Sequence, residues 1–400
     1  MKIILVGQYY WPENFLINEI AEDLVLRGHE VTVLTGLPDY ATNYVPKEFK
    51  NGKRRHEIHN GVEIIRVPII ARHTGFLYRV LNYISFMLSS SFYACMHKIE
   101  ADVIMAYQTA PVMMGQAGIV LKNKLKKPLF FYCLDIWPDQ MKVWNVREKN
   151  PIFHLVKRYC QYAYGSADVL GITSEPFRRY MVDVNRVNPN KIVYVPQHSE
   201  RMNIECFEKN TDTIDLIFAG NIGQQQDVEC ILRAVSLIKT KKKYHVHIYG
   251  NGTAFEKCQK LAADLNITEK VTFYGRVSKE RLSEVYPKMD AFLLTLCGED
   301  KMGFATNTVP AKFQGYLSAG KPILAAIDGC TKDIIDEIKC GKAVKSSDYI
   351  GFSNIITDFI ENVDRYASCG RNGMRYFDMY YDKKVVMNQI ENILKGLSKK

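Results

Sequence analysis

The chain has 400 residues, 47% of them hydrophobic, which is ample for more than one packed domain. Its 53 Lys and Arg exceed its 43 Asp and Glu, a formal charge of +10 that suits an anionic ligand or an anionic membrane surface. The cations are dispersed apart from short runs such as 241–243, and no zinc-finger or helix-turn-helix pattern appears, so nucleic acid is set aside as a partner. Ten scattered cysteines without a C-x-x-C pair, an N-terminal apolar run too short for a signal peptide and no convincing membrane span predict free thiols in a reducing cytoplasm.

In chain order, KIILVG reads as a strand and INEIAEDLVLRG as a helix. HEVTVLTG, VEIIRVPI, ADVIMAY, PLFFYCLD, ADVLGIT and KIVYVP are further short Val/Ile-rich runs, most with helical segments between them. That alternation predicts a parallel sheet covered on both faces. After Gln197 the polar stretch HSERMNIECFEKNTDT reads as a linker. The pattern then restarts with DLIFAG, HVHIYG, VTFYG, AFLLTL and PILAAI, with helices from Val228, Ala254 and Lys279 and another over TVPAKFQGYLSAG. Residues from Asp382 onward form an amphipathic helix pattern. The predicted divisions are 1–200, 211–381 and a terminal helix, 382–400, packing back on the first domain.

Ligands of open parallel sheets sit beyond the carboxyl ends of the strands, so the loops there carry the candidate chemistry. In GQYYWPENF, Tyr10, Glu13 and Asn14 lie near the start of a helix, whose N-terminus attracts anions. The loop faces a substrate, or it is an aromatic-packed turn. In CLDIWPDQ, Asp135 is a candidate base or sugar-hydroxyl ligand and Trp137 a candidate sugar-stacking ring. As alternatives, Asp135 caps a helix and Trp137 packs in the core. FAGNIG brings Gly220 and Gly223, with Asn221 between them, where backbone can approach a phosphate. YGNGT adds Gly250, and YGRV brings Arg276 and Val277 to a possible base pocket; each is otherwise an ordinary tight turn. In TVPAKFQG, Pro310 suits the first helical turn, the N–H groups of Thr308 and Val309 point toward a diphosphate, and Lys312 is its cation or a solvated surface lysine. The segment 71–98 is long, aromatic and free of acids, with Arg72, His73 and Arg79 at its start. It is a helix lying in a membrane interface or one buried against the sheet.

Taken in order, YYWPEN, LRGHEVTVLTGLPDY, CLDIWPD, VPQ, FAGNIG, YGNG, VTFYGRV and TVPAKFQGYLSAGKP resemble glycosyltransferase family four over essentially the whole chain. The likeness is greatest to bacterial enzymes of capsule, O-antigen and other surface polysaccharides. The resemblance implies an α/β protein of GT-B fold, two Rossmann-like domains facing across a cleft. It implies a retaining transferase that uses a nucleotide-sugar co-substrate, UDP-linked in most members, and generally no cofactor or metal. The acceptor is polyprenyl-linked or a saccharide, and the location cytoplasmic, peripheral on the inner face of the membrane. It assigns Gly220, Asn221, Gly223, Gly250, Arg276, Val277, Asn307, Thr308, Val309 and Gln314 to the donor. Tyr10, Glu13, Asn14 and Trp137 fall to the acceptor, and Asp135 and Lys312 to catalysis.

Departures from the family pattern are specific. Counted from AGKP, its Glu-x7-Glu positions are Asn307 and Gly315, neither acidic. The arginine and lysine that follow the second-domain glycine fall at Asn221 and Gln226, and the histidine before Asp135 is Leu134. Lys312 then replaces the phosphate cations, and the ribose contact passes to Gln314 or to backbone near 274–277. A UDP-sugar 2-epimerase and a non-catalytic GT-B partner protein are the competing readings.

Overall fold

A computed structural model of the chain describes residues 1–144, 146–202 and 212–399. They form two compact units, Met1–Gln197 with Val386–Lys400, and His198–Val385. Most of the linker segment, 203–211, lies outside the described residues.

The first unit contains β1 (Lys2–Val6), α1 (Leu16–Leu26), β2 (Glu30–Gly36), β3 (His56–His59), β4 (Val62–Val67), α2 (Phe76–Met96), β5 (Val103–Gln108), α3 (Gln116–Leu125), β6 (Leu129–Cys133), α4 (Pro151–Gly165), β7 (Val169–Ile172), α5 (Pro176–Asp183) and β8 (Ile192–Tyr194). Its sheet order is β3-β4-β2-β1-β5-β6-β7-β8. Every pairing is parallel except β3 with β4. Strands β5 and β6 are buried at every position, as expected where helices cover both faces. The strand β3 was not among the expected elements, although its signal was present. Asn60 and Gly61 both take positive φ, the geometry of a two-residue hairpin turn, and join β3 to β4.

The second unit contains β9 (Ile214–Ala219), α6 (Val228–Leu237), β10 (Tyr244–Tyr249), α7 (Phe255–Asp264), β11 (Val271–Gly275), α8 (Lys279–Val285), β12 (Ala291–Thr295), α9 (Glu299–Met302), α10 (Ala311–Ser318), β13 (Ile323–Ala326), α11 (Cys330–Ile338), β14 (Gly341–Val344), α12 (Tyr349–Glu361) and α13 (Ala367–Tyr380). Its order is β11-β10-β9-β12-β13-β14, all parallel. The side chains of β9 alternate between two cores: Ile214, Leu216 and Phe218 enter one, Ile217 and Ala219 the other. The strand order reverses between β9 and β12, and crevices for ligands open at such points. Four-residue β14 escaped the sequence reading because GKAV is too short and too polar to show an apolar run.

The last helix, α14 (Lys383–Ser398), puts Val386, Met387, Ile390 and Leu394 into the core of the first unit. Glu391 anchors it. Its carboxylate accepts from Lys395 at 2.7 Å, His29 Nε2 at 2.9 Å and Arg27 at 3.1 Å. The Lys395 ammonium, then His29 and Arg27, hold its pKa down to about 2. A carboxyl depressed in the folded state stabilises above its unfolded pKa, and that contribution fades as pH falls toward the folded value. Glu391→Gln is expected to lower stability by about 1–2 kcal/mol at pH 7. Urea titrations should show the gap from wild type narrowing from about pH 4.5 downward.

Helix α2 is buried on one face, as the sheet-packing reading expects, and exposed on the other. Asn82, Tyr83, Phe86, Ser90 and Ala94 are buried, while Leu77, Leu88, Phe92 and Met96 are each at least 60% exposed. Lys124 closes its C-terminus, its Nζ donating to the carbonyls of Ala94, Cys95 and His97. Among the described residues no helix is long and apolar enough to cross a membrane.

Candidate functional site

In the second unit, a cavity of about 870 Å³ opens at the carboxyl ends of β9, β10 and β11. Gly220, Asn221, Gly250, Arg276 and Val277 line it, together with Tyr249, Asn251 and Thr253, which sequence reasoning did not assign. Three loops interlock to make its floor. Gly220 N–H donates to Tyr249 O at 3.0 Å, Gly250 N–H to Gly275 O at 2.7 Å, and Ile222 N–H to Asn251 O at 2.9 Å. Gly250 has φ 138°, and a Cβ there would run into the carbonyl of Gly220. Backbone meets backbone, so neither loop can yield cheaply. Gly250→Ala should therefore cost about 2–4 kcal/mol and weaken nucleotide binding more than tenfold, measured by denaturant titration and by ligand-induced thermal shift.

Lys312 stands behind this floor. Pro310 takes an extended conformation and caps α10 from outside, one residue earlier than the expected first-turn position, so Lys312 is the second helical residue. Its Nζ would lie 3.3 Å from a Cβ on Gly220 and sits 4.3 Å from the centre of the Phe218 ring. The ammonium is buried and has no hydrogen-bond partner among the described residues. Burial, with no carboxylate to oppose it, pulls its pKa down to about 7. The phenol of Tyr316, one turn further along α10, fixes the placement. It accepts from Ala219 N–H at 2.8 Å and donates to Ala219 O at 3.1 Å, latching α10 to the end of β9. Tyr316 itself stacks on Phe292 at 4.3 Å. A tyrosine following Lys312 by four on an apolar helix face was the available signal for this latch.

Other assigned positions behave differently. Gly223 is a correction: its N–H donates to Gln226 Oε1 at 3.2 Å, so that amide is engaged inside the loop. Asn221 Nδ2 donates to the same oxygen at 3.3 Å. The two positions where the resemblance puts cations thus hold amides that bond each other. Asn307, Thr308 and Val309 form the turn before α10, outside the cavity lining; Asn307 O accepts from Cys330 Sγ, and Val309 joins the core. Gln314 is only 3% exposed and points into the protein, which removes it as a ribose ligand in this conformation. Gly315 has open space where a side chain would begin.

In the first unit, Asp135 lies two residues beyond the end of β6. Its carboxylate has no hydrogen-bond partner among the described residues, and burial raises its pKa to about 6. Beside β1 and β2 run polar contacts in which the sequence analysis had assigned Glu13 to the acceptor but had not foreseen the roles of Gln8, Asp39 and Asn82. Glu13 accepts from the N–H of Tyr40 and from that of Ala41 at 3.2 Å. Asp39 accepts from Arg72 N–H at 2.7 Å and Asn82 Nδ2 at 2.8 Å, and Asn82 accepts from Gln8 Nε2 at 2.6 Å. Burial pushes Glu13 up to about 7 and Asp39 to about 6. The Arg72 guanidinium lies over Tyr40 at 4.6 Å. Asn14 is exposed in the same loop. Tyr10 and Trp137 are corrections. Tyr10 is 2% exposed within the core, and Trp137, 3% exposed, packs against Trp144 at 5.7 Å between ring centres. Neither ring is offered to a sugar, because each follows a strand whose neighbours draw it inward.

Residues 16–198 match the family described as Glycosyl transferase 4-like domain, and residues 200–376 the family described as Glycosyl transferases group 1. The probable glycosyltransferase WbjE of Pseudomonas aeruginosa is 25% identical over 66% of this chain and 67% of its own length. The putative colanic acid biosynthesis glycosyl transferase WcaI of Escherichia coli K12 is 22% identical over 80% and 82%. Among solved structures, HepE of Anabaena in complex with UDP and glucose superposes with a TM-score of 0.68 at 13% identity, covering 99% of this chain and 100% of that one.

Proposed function

The chain belongs to the group 1 glycosyl transferases and has their two-domain GT-B fold, and from that premise we propose that it transfers a sugar from a UDP-sugar, with retention, to a lipid-linked or saccharide acceptor in surface polysaccharide biosynthesis. The observation that carries the donor half is the buried ammonium of Lys312, without a hydrogen-bond partner among the described residues, behind Gly220, which itself lines a cavity large enough for a nucleotide. In transfer, the bond from the anomeric carbon to the diphosphate oxygen breaks and a bond to an acceptor hydroxyl oxygen forms. Negative charge grows on the departing nucleoside diphosphate, and the hydroxyl proton is released. A cation in a low-dielectric wall stabilises that growing charge far more than one in water. The glycine backbones of 220 and 250 let the diphosphate approach, and Arg276 and Val277 are the wall for the base. Asp135 is the carboxylate assigned to the acceptor hydroxyl. UDP is favoured by the nucleotide held by the HepE structure, and a polysaccharide role by the colanic acid name of WcaI. The exposed apolar face of α2 supports peripheral contact with a membrane that carries the acceptor.

A thermal-shift series with UDP, GDP, dTDP and CMP tests the donor reading. UDP is expected to raise the melting temperature most, since a ligand selective for the native state stabilises it by mass action. No shift with any nucleotide would favour the non-catalytic reading, for which the Asn221–Gln226 pair is the specific support. A product carrying the same sugar epimerised, rather than transferred, would favour the epimerase.

A further inference from the structure

The connection from β2 to β3 holds a second anion-seeking feature, remote in sequence from Lys312. Residues 47–56 carry five cations, Lys47, Lys50, Lys53, Arg54 and Arg55, against one carboxylate, Glu48. The nearest further acid, Glu57, is already taken: it pairs with Arg54 at 2.8 Å and with Arg66 at 2.6 Å. Arg55 has no such partner. Among the described residues its guanidinium meets only the carbonyl of Arg66, at 3.4 Å. Burial alone acts on it and lowers its pKa, so no acid compensates its charge.

Arg55 forms one wall of a pocket of about 320 Å³ in the first unit. Lys50 and His73 supply two more walls, Tyr44 and the buried Phe49 complete it, and no acidic residue lines it. Three cationic or protonatable groups around an acid-free concavity favour a compact anion. The pocket also abuts an apolar track. The His73 ring contacts Tyr78 of α2 at 4.9 Å. From there the exposed face runs through Leu77, Ile84, Leu88, Phe92 and Met96, a helical spacing that keeps them on one side over some five turns.

We propose that the pocket walled by Lys50, Arg55 and His73 binds the phosphate or diphosphate of a lipid-linked acceptor, whose apolar chain lies along the outer face of α2. This rests on the transferase reading but concerns the acceptor alone. A headgroup on a short, charged tether and a chain lying on an apolar stripe are the two halves of an amphiphile, and the two features adjoin through His73.

The test is calorimetric titration with farnesyl diphosphate, inorganic diphosphate and farnesol. It is run in a Lys312→Ala background, so that diphosphate cannot report on the nucleotide cavity. Farnesyl diphosphate is expected to bind at least tenfold more tightly than either fragment. Lys50→Ser with Arg55→Gln should weaken it tenfold or more, and Leu88→Ser with Phe92→Ser should remove the advantage of the chain while sparing inorganic diphosphate. Lys50→Ser alone, at an exposed position where folding is not at risk, should cost about threefold. Affinity within twofold of the parent in the Lys50/Arg55 variant would overturn the proposal, as would equal affinity for farnesyl and inorganic diphosphate. Vesicles of phosphatidylcholine with phosphatidylglycerol form the other arm. Cation-dependent vesicle binding without farnesyl diphosphate binding would overturn the acceptor assignment and identify a bilayer headgroup instead. The thermal shift by UDP, measured with Lys312 intact, should be unchanged by the Lys50/Arg55 variant. Its loss in wild type would count against the donor reading and not against this pocket.

Discussion

Lys312→Met is expected to weaken nucleotide binding by about 100-fold or more while raising the melting temperature measured without nucleotide. The two effects have one cause. The ammonium is buried against the Phe218 ring, and among the described residues no carboxylate opposes it. A cation so placed stabilises a diphosphate strongly, since a charge-assisted bond in a low-dielectric wall contributes about 3–4 kcal/mol. The same charge is a burden on the folded protein, and an apolar side chain of similar length should relieve about 1–3 kcal/mol. The sign follows from linkage. The folded pKa is about 7 against 10.5 for an ordinary lysine. Between those values the unfolded chain binds more protons, so wild-type stability rises with pH across that window. The stability advantage of the methionine variant should accordingly shrink from pH 7 toward pH 10. Lys321→Ala, beyond the C-terminal end of α10 rather than beside Gly220, is the control and should leave nucleotide binding unchanged. A methionine variant that binds UDP normally would remove Lys312 from the phosphate role, and one that loses both binding and stability would reduce it to a packing residue.

Asp135→Asn should lower kcat by about 10²–10³-fold, the usual worth of a positioned acid or base, and leave UDP binding within about twofold. Burial raises this carboxyl to about 6, so its ionised form is lost below that pH. The wild-type kcat/KM should fall on the acid side with an apparent pKa near 6, and the variant should lack that limb. Stability separates this from simple damage. A carboxyl whose folded pKa is raised destabilises the fold above it, because the folded state must shed a proton the unfolded chain has already lost. The asparagine variant should therefore be at least as stable as wild type at pH 7. An unchanged rate would leave Asp135 a capping or core group; a variant with lowered melting temperature would mean its fall in kcat reports folding.

Much of the fold could be read directly. β-branched runs at regular intervals, each followed by a helical period, specify parallel strands whatever their partners. The expected strands of both units appear in the structure. The exceptions were short or polar: β3 with its sequence HEIH, and β14 with GKAV. The loops at strand ends were legible for the same reason, since glycine after an apolar run marks the place where backbone must turn beneath a ligand. Gly220 and Gly250 were found that way. Their mutual contact was not, because they lie 30 positions apart and only the sheet order β10-β9-β12 brings their strands side by side.

Side-chain direction was the harder matter. Tyr10, Trp137 and Gln314 stand at suggestive positions and face inward, while Gln8, Asp39, Arg72 and Asn82 assemble a polar chain from segments up to 74 residues apart. Composition and period, which are local, determined by themselves that this is a doubled α/β protein with glycine-bearing loops at the strand ends of its second unit and an apolar, acid-free helix in the first. Burial and partnership depend on what is folded against a residue. Tertiary structure alone therefore decided that the lysine of PAK, behind Gly220 and against Phe218, loses its solvent and finds no counter-ion among the described residues.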